Sequence, residues 1–190
     1  IVSTVIQDIL VDPSKDVVMI GELDNCLFVS ADSGRSWRNI HEHFLSITKD
    51  KTKDCYAVQK RANGKFLALV GNFKRDFSWL VQSRDGIDWR PIRRFEGAYA
   101  TLSLAEYNDS EEIFVLVPGQ GLFSSSDLNT WRRLSVGNKY PRRLVQAPAK
   151  PSILWAGFSF EWEAEKGGLF HSSDFGKTWH RIDHPDLLDV

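Results

Sequence analysis

Hydrophobic residues come along this chain in short bursts rich in Val, Ile, Leu, Phe and Trp, cut by Pro, Gly, Asn and Asp. That texture predicts strands separated by tight turns. A first group reads TVIQDILVDP (4–13), DVVMIGEL (16–23), NCLFVSAD (25–32) and SWRNI (36–40). A second reads YAVQK (56–60), KFLALVGNF (65–73), FSWLVQSRD (77–85) and DWRPI (88–92), after a polar insert from Thr48 to Asp54. The third is ATLSLAEY (100–107), EIFVLVPG (112–119), GLFSSSD (121–127) and NTWRRL (129–134). The fourth is RRLVQAPAK (142–150), SILWAGFSF (152–160), GGLFHSSD (167–174) and TWHRI (178–182). No stretch sustains a 3.6-residue apolar period, so little helix is expected. The pattern predicts an all-β chain of four units with four strands each.

One phrase recurs in every unit. It starts at Leu27, Leu80, Leu122 and Leu169 and runs through Ser-x-Asp and a polar turn to Trp. Ser30, Ser83, Ser125 and Ser172 each precede Asp32, Asp85, Asp127 and Asp174 by two residues. A carboxylate so placed accepts hydrogen bonds from backbone N–H groups further along, forming an Asx-type turn. Gly34, Gly86 and Gly176 supply the freedom for positive φ; the third copy has Asn129 in the turn and no Gly. Trp37, Trp89, Trp131 and Trp179 close the turns, each with a large ring to bury and an indole N–H to pair. These Trp recur at intervals of 52, 42 and 48 residues, a spacing that suggests propeller blades or a solenoid. A lone four-stranded sheet cannot bury both faces, so each unit needs neighbours.

The pattern Ser-x-Asp-x-Gly-x-Ser/Thr-Trp resembles the Asp-box, or BNR repeat, of sialidases, xyloglucanase-type glycoside hydrolases, sortilin-like receptors and a photosystem II assembly factor. Ser30–Trp37 and Ser172–Trp179 match it in full; Ser83–Trp89 and Ser125–Trp131 are one residue shorter. The resemblance covers essentially the whole chain, and the fourth unit looks most like the xyloglucanase and sortilin branch. It implies a single β-propeller domain over 1–190, with blades at about 1–41, 42–95, 96–136 and 137–184, either a closed four-bladed ring or an arc of a larger one. It also implies that the repeated Asp residues lie away from the ligand face, and that the protein is secreted or extracytoplasmic. The chain opens Ile1-Val2 with no initiator Met and no visible signal peptide, which leaves export open.

Composition narrows the function classes. Of 190 residues 42% are hydrophobic and 26% charged, and the net charge of −1 supplies no field for nucleic acid or a membrane surface. No apolar run approaches the roughly 18 residues of a membrane span. Cys26 and Cys55 read as buried thiols, a disulfide between them being the alternative.

Identical residues in every unit are what a structural turn requires, whereas catalysis needs different residues converging on one point. The Ser-Asp-Gly-Trp sets are therefore assigned to the scaffold. On the face the resemblance assigns to ligands, two loops stand out. Asn72–Trp79 carries Lys74, Arg75 and Asp76 among Phe73, Phe77 and Trp79; Ser159–Gly168 carries Glu161, Glu163 and Glu165 around Phe160 and Trp162. The links between units add His41, Glu42 and His43, then Arg93, Arg94, Glu96 and Tyr99, then Tyr140, Arg142 and Arg143. Aromatic rings beside charges suit sugars or protein hot spots.

A sialidase-type site, as the resemblance would have it, needs three arginines on a substrate carboxylate, yet residues 1–34 contain no Arg. His41-x-His43 lacks a third ligand at metal-site spacing. No catalytic set, cofactor or metal is expected. The reading is a non-catalytic propeller binding a protein partner or a glycan, with self-association open. The rivals are a glycoside hydrolase or a piece of one, and a structural subunit of a larger assembly.

Overall fold

The computed structural model describes residues 5–137, 140–159 and 167–183. The chain divides into two compact units, Ile1–Leu102 and Ser103–Val190.

In the first unit, β1 (Val5–Asp12), β2 (Val17–Leu23), β3 (Cys26–Ser30) and β4 (Arg38–Asn39) form an antiparallel sheet in chain order. A second sheet repeats the order with β5 (Asp54–Lys60), β6 (Phe66–Asn72), β7 (Phe77–Ser83) and β8 (Trp89–Glu96). Alternation along each strand sends every second residue to one face. In the first sheet the cross-strand row Leu10, Met19 and Val29 points to one side. In the second, Val58, Ala68 and Val81 form such a row. The two rows meet in one core with Leu27, Phe66 and Val70. Fully burying a Val, Leu, Met or Phe side chain contributes about 1.5–3 kcal/mol. Both thiols, Cys26 and Cys55, are free and buried there, and burial pushes both up from their ordinary value.

One element departs from the sequence expectation. His41 to His43, expected in a blade link, and Thr48, expected to open the polar insert, belong to one helix, α1 (His41–Thr48). Phe44 and Thr48, four residues apart, are its buried side, and Phe44 packs on the Trp89 ring at 5.8 Å. Two turns are too short to display a period, and no side chain caps the start. Tertiary packing of Phe44, not local preference, holds the helix.

Of the two sheets that follow, one is made of β9 (Thr101–Tyr107), β10 (Ser110–Val117), β11 (Gly121–Ser125) and β12 (Arg132–Leu134), all but its first two residues belonging to the second unit. The other comprises β13 (Pro141–Gln146), β14 (Leu154–Phe158), β15 (Gly168–Ser172) and β16 (His180–Arg181). Phe114, Leu116, Leu122, Leu144, Leu154 and Ala156 form their core, with Phe158 edge-on to Phe170 at 5.1 Å.

The first strands share a further feature. β1, β5 and β13 each shift register at the same repeat position, between Ile6 and Asp8, Cys55 and Ala57, and Pro141 and Arg143. The bulged residues are Gln7, Tyr56 and Arg142. A bulge bends its strand and re-aims a side chain.

Candidate functional site

In such a meander the first loop and the third turn lie at one end of the sheet, and the second loop and the link to the next sheet at the other. The repeated turns occupy the first end. Asp32 Oδ1 accepts from Ser30 Oγ at 2.7 Å and Ser36 N at 2.8 Å, and its Oδ2 accepts from Ser36 Oγ at 2.6 Å. Asp174 repeats this with Ser172 Oγ, Thr178 N and Thr178 Oγ1 at 2.9, 2.8 and 2.6 Å. The Ser36 and Thr178 hydroxyls, then their N–H groups, hold these two carboxyls down at about 2. Asp85 sits slightly deeper; burial pushes its carboxyl up, but the Asp88 and Ile87 N–H groups outweigh this and hold it low. Asp127 is lowered by the Thr130 and Asn129 N–H groups. Carboxylates so saturated by their own turn are poor acids or bases.

The indole N–H of each Trp donates to the carbonyl three residues back: Trp37 to Gly34, Trp89 to Gly86, Trp131 to Leu128 and Trp179 to Gly176, at 2.8–3.1 Å. In the third copy Leu128 takes the glycine's place at φ +65°, a left-handed conformation costing a non-Gly residue about 1–2 kcal/mol. Ring burial is uneven: Trp89 is 4% exposed beneath α1, while Trp37 is 42% exposed. A groove of about 630 Å³ with mixed charge, between Lys65, Arg84, Asp85 and Arg90, opens beside the Trp89 turn.

The other end of the first unit is organised by Asp54, a fully buried carboxylate. Its Oδ1 accepts the Asp24 N–H at 2.9 Å; its Oδ2 accepts the Phe73 N–H at 2.9 Å and the Tyr56 hydroxyl at 3.2 Å. One side chain thus ties together the β2–β3 loop, the 3₁₀ turn Phe73–Arg75 and the β5 bulge. Burial raises its pKa above the ordinary value of 3.8, against the pull of Phe73 N–H and Lys53. Tyr56, lying against it, is itself pushed up, by burial first and by the Asp54 charge second.

Around this anchor the rings gather. Tyr99 packs at a tilt against Tyr56 and Phe73, with ring centroids 5.4 and 6.0 Å away. Lys53 and Lys74 place their ammonium groups 5.3 and 5.8 Å from the Phe73 centroid, and Lys53 pairs with Asp24. Tyr99 is 44% exposed and held at φ +54°. Asp76 props up the segment before it, accepting Gly97 N–H on its carbonyl and Ala98 N–H on Oδ1, both at 2.8 Å.

The remaining sequence candidates distribute as follows. Lys74, Arg75 and Asp76 are exposed at this end. Phe77 is buried beneath Arg94, whose guanidinium lies 4.9 Å from its ring, so it presents no surface to a ligand. Trp79 is half-buried and donates to Asp50 Oδ2 at 2.7 Å, where Arg94 also donates at 3.2 Å. Tyr140, Arg142 and Ser159 are brought together: Arg142 Nε donates to Ser159 Oγ at 2.9 Å, and Ser159 N to the Tyr140 carbonyl at 3.0 Å. Phe160, Glu161, Trp162 and Glu163 lie outside the described residues. His41 and His43 do not converge: His41 Nε2 lies 2.5 Å from the Thr52 carbonyl, and His43 Nε2 accepts the Trp89 N–H at 2.9 Å. Among the described residues no three His, Cys, Asp or Glu side chains are grouped to hold a metal, and no helix is long and apolar enough to cross a membrane. Sequence reasoning missed Asp50, Lys53, Asp54 and Tyr56. The only signal near them was the polar insert, because their roles depend on partners 19 to 44 residues away, or on a bulge.

No protein-family model and no curated protein matches the chain. Solved structures do. An ancestral GH74 enzyme aligns over 95% of this chain at 17% identity with a TM-score of 0.63. The Dos1 propeller aligns over 94% at 10% identity and 0.65, and YCF48 from Cyanidioschyzon merolae over 96% at 17% and 0.57. The chain spans 24%, 47% and 61% of those chains' respective lengths. At such identities the likeness is one of fold. Among the described residues 54% are strand and 6% helix, arranged in four four-stranded antiparallel sheets, and this chain has an all-β propeller fold of about four blades.

Proposed function

We propose that this chain is a non-catalytic Asp-box propeller that binds a glycan or a protein partner through the end opposite its repeated turns. The observation that carries the reading is Tyr99: a large exposed ring at positive φ, its preceding segment held by Asp76 and its ring packed at a tilt against Phe73 and Tyr56. Backbone strain of this kind costs on the order of 1–3 kcal/mol and clusters at binding and active sites. A preorganised aromatic platform flanked by Lys53 and Lys74 suits the apolar face and hydroxyls of a sugar ring, or a hot spot on a protein. The four turn motifs, each with its carboxylate saturated by its own backbone and hydroxyls, support the Asp-box assignment and a scaffold role.

The test is binding to a glycan array and capture of partners from native extract, each with wild type and with Tyr99→Ala. Loss of about tenfold or more in affinity, equivalent to about 1.4 kcal/mol, is expected with the fold unchanged by circular dichroism. The fold likeness to an ancestral GH74 enzyme keeps a glycoside-hydrolase reading alive. Turnover of fluorogenic glycosides that disappears in Glu161→Gln or Glu163→Gln would overturn the non-catalytic one.

A further inference from the structure

The first sheet has two faces, and they are treated differently. The row Leu10, Met19 and Val29 packs into the core of the first unit. The opposite row is Ile9, Ile20 and Phe28, joined across β1, β2 and β3. It is equally apolar, yet Ile9 is 56% exposed, its neighbour Val11 is 61% exposed, and Ile20 and Phe28 are only half-buried. Exposed apolar surface of this extent on a sheet marks an interaction face.

The repeat says what such a face is shaped to meet. Aligned on the Ser-x-Asp motif, Phe28 corresponds to Val81, and through the strand registers Ile9, Ile20 and Phe28 correspond to Val58, Ala68 and Val81. In the second sheet that row is buried against the Leu10, Met19, Val29 row. So the open face of the first sheet is built to receive a row of the Leu10–Met19–Val29 type.

The last sheet presents one. By the same registers its equivalents are Val145, Trp155 and His171, joined across β13, β14 and β15. This row is open too: Val145 is 46% exposed, and Trp155 and His171 are half-buried, with their rings in tilted contact at 4.5 Å. The opposite row of that sheet, Leu144, Ala156 and Phe170, packs in the core of the second unit.

We propose that the Ile9–Ile20–Phe28 face of one copy of this chain docks on the Val145–Trp155–His171 face of a second copy, head to tail, repeating between chains the sheet-on-sheet contact seen within the first unit. The contact is heterologous, so it grows until the rotation closes a ring. Two copies bring eight sheets together, within the roughly 4–8 blades that propellers use.

Light scattering of the purified 190-residue chain tests this across micromolar concentrations. The expected mass is twice 21.7 kDa or a higher multiple. Ile9→Lys and Val145→Lys each place a charge in the contact, and each should weaken association by about tenfold or more. Both positions are exposed, so the fold should persist by circular dichroism; Val11→Lys is the second variant for the first face. A head-to-tail contact adds a diagnostic result. Mixing Ile9→Lys with Val145→Lys restores one intact contact, and so a pair of chains that grows no further, because each retains the face the other has lost. A monomeric wild type, an effect of only one of the two variants, or a mixture that stays monomeric would each overturn the proposal.

Discussion

Replacing Asp54 with Asn changes one oxygen for an amide nitrogen at the centre of the candidate site, and its cost follows from three hydrogen bonds. The carboxylate accepts from the Asp24 N–H, the Phe73 N–H and the Tyr56 hydroxyl. Asn has one acceptor oxygen, so its NH₂ must face either the Asp24 or the Phe73 N–H. A buried N–H left without an acceptor costs about 1–3 kcal/mol. Against that, Asn buries no charge, and the raised pKa of Asp54 says that burying the charge is itself unfavourable. The net expectation at pH 7 is a loss of about 1–2 kcal/mol, and with a urea slope of about 2 kcal/mol/M the midpoint falls by about 0.5–1 M. The pH dependence has a definite sign. A carboxyl whose folded pKa exceeds the unfolded 3.8 binds its proton more tightly in the folded state. Wild type therefore gains stability as pH falls from above the raised pKa towards 3.8, and Asp54→Asn lacks that gain. The gap between the two proteins, measured by urea denaturation with far-UV circular dichroism, should widen as pH falls through this window. A gap that narrows would mean that the two N–H bonds outweigh burial, and the account of Asp54 as an unfavourably buried charge would be wrong.

Two further outcomes follow from packing alone. A Cβ at Gly71 would lie 2.1 Å from the Phe77 carbonyl and 2.9 Å from the Tyr56 ring; Gly71→Ala should cost about 3 kcal/mol or more, at the upper end of overpacking, read as a lowered thermal midpoint, and an unchanged midpoint would refute the close approach. Cys26 and Cys55 are free, buried and raised in pKa, so neither should react with a thiol reagent in the native state at pH 8 and both should react in denaturant; native reaction on the mixing timescale would contradict their burial.

The local rules of the chain were legible in its letters. Alternating apolar residues bounded by Gly, Pro and Asp marked out the strands, because a half-buried strand imposes a period of two. The Ser-x-Asp-turn-Trp phrase announced its own hydrogen bonds, because donor and acceptor lie within a few residues of one another. Everything decided by distant contacts was not. Helix α1 exists because Phe44 finds Trp89, 45 residues on. Leu128 adopts the turn conformation of a glycine because the rest of the turn, from Ser125 to Trp131, is satisfied around it. The bulges at Gln7, Tyr56 and Arg142 appear only in the pairing register. Asp54 looked like one more acid in a polar insert, until folding surrounded it with the loops it joins. The sequence by itself determined what each strand and turn would be, since short-range sterics and hydrogen bonding set them. Only the tertiary structure decided which carboxylate is buried, which ring stands proud and which apolar faces stay open, since those depend on what the fold brings alongside.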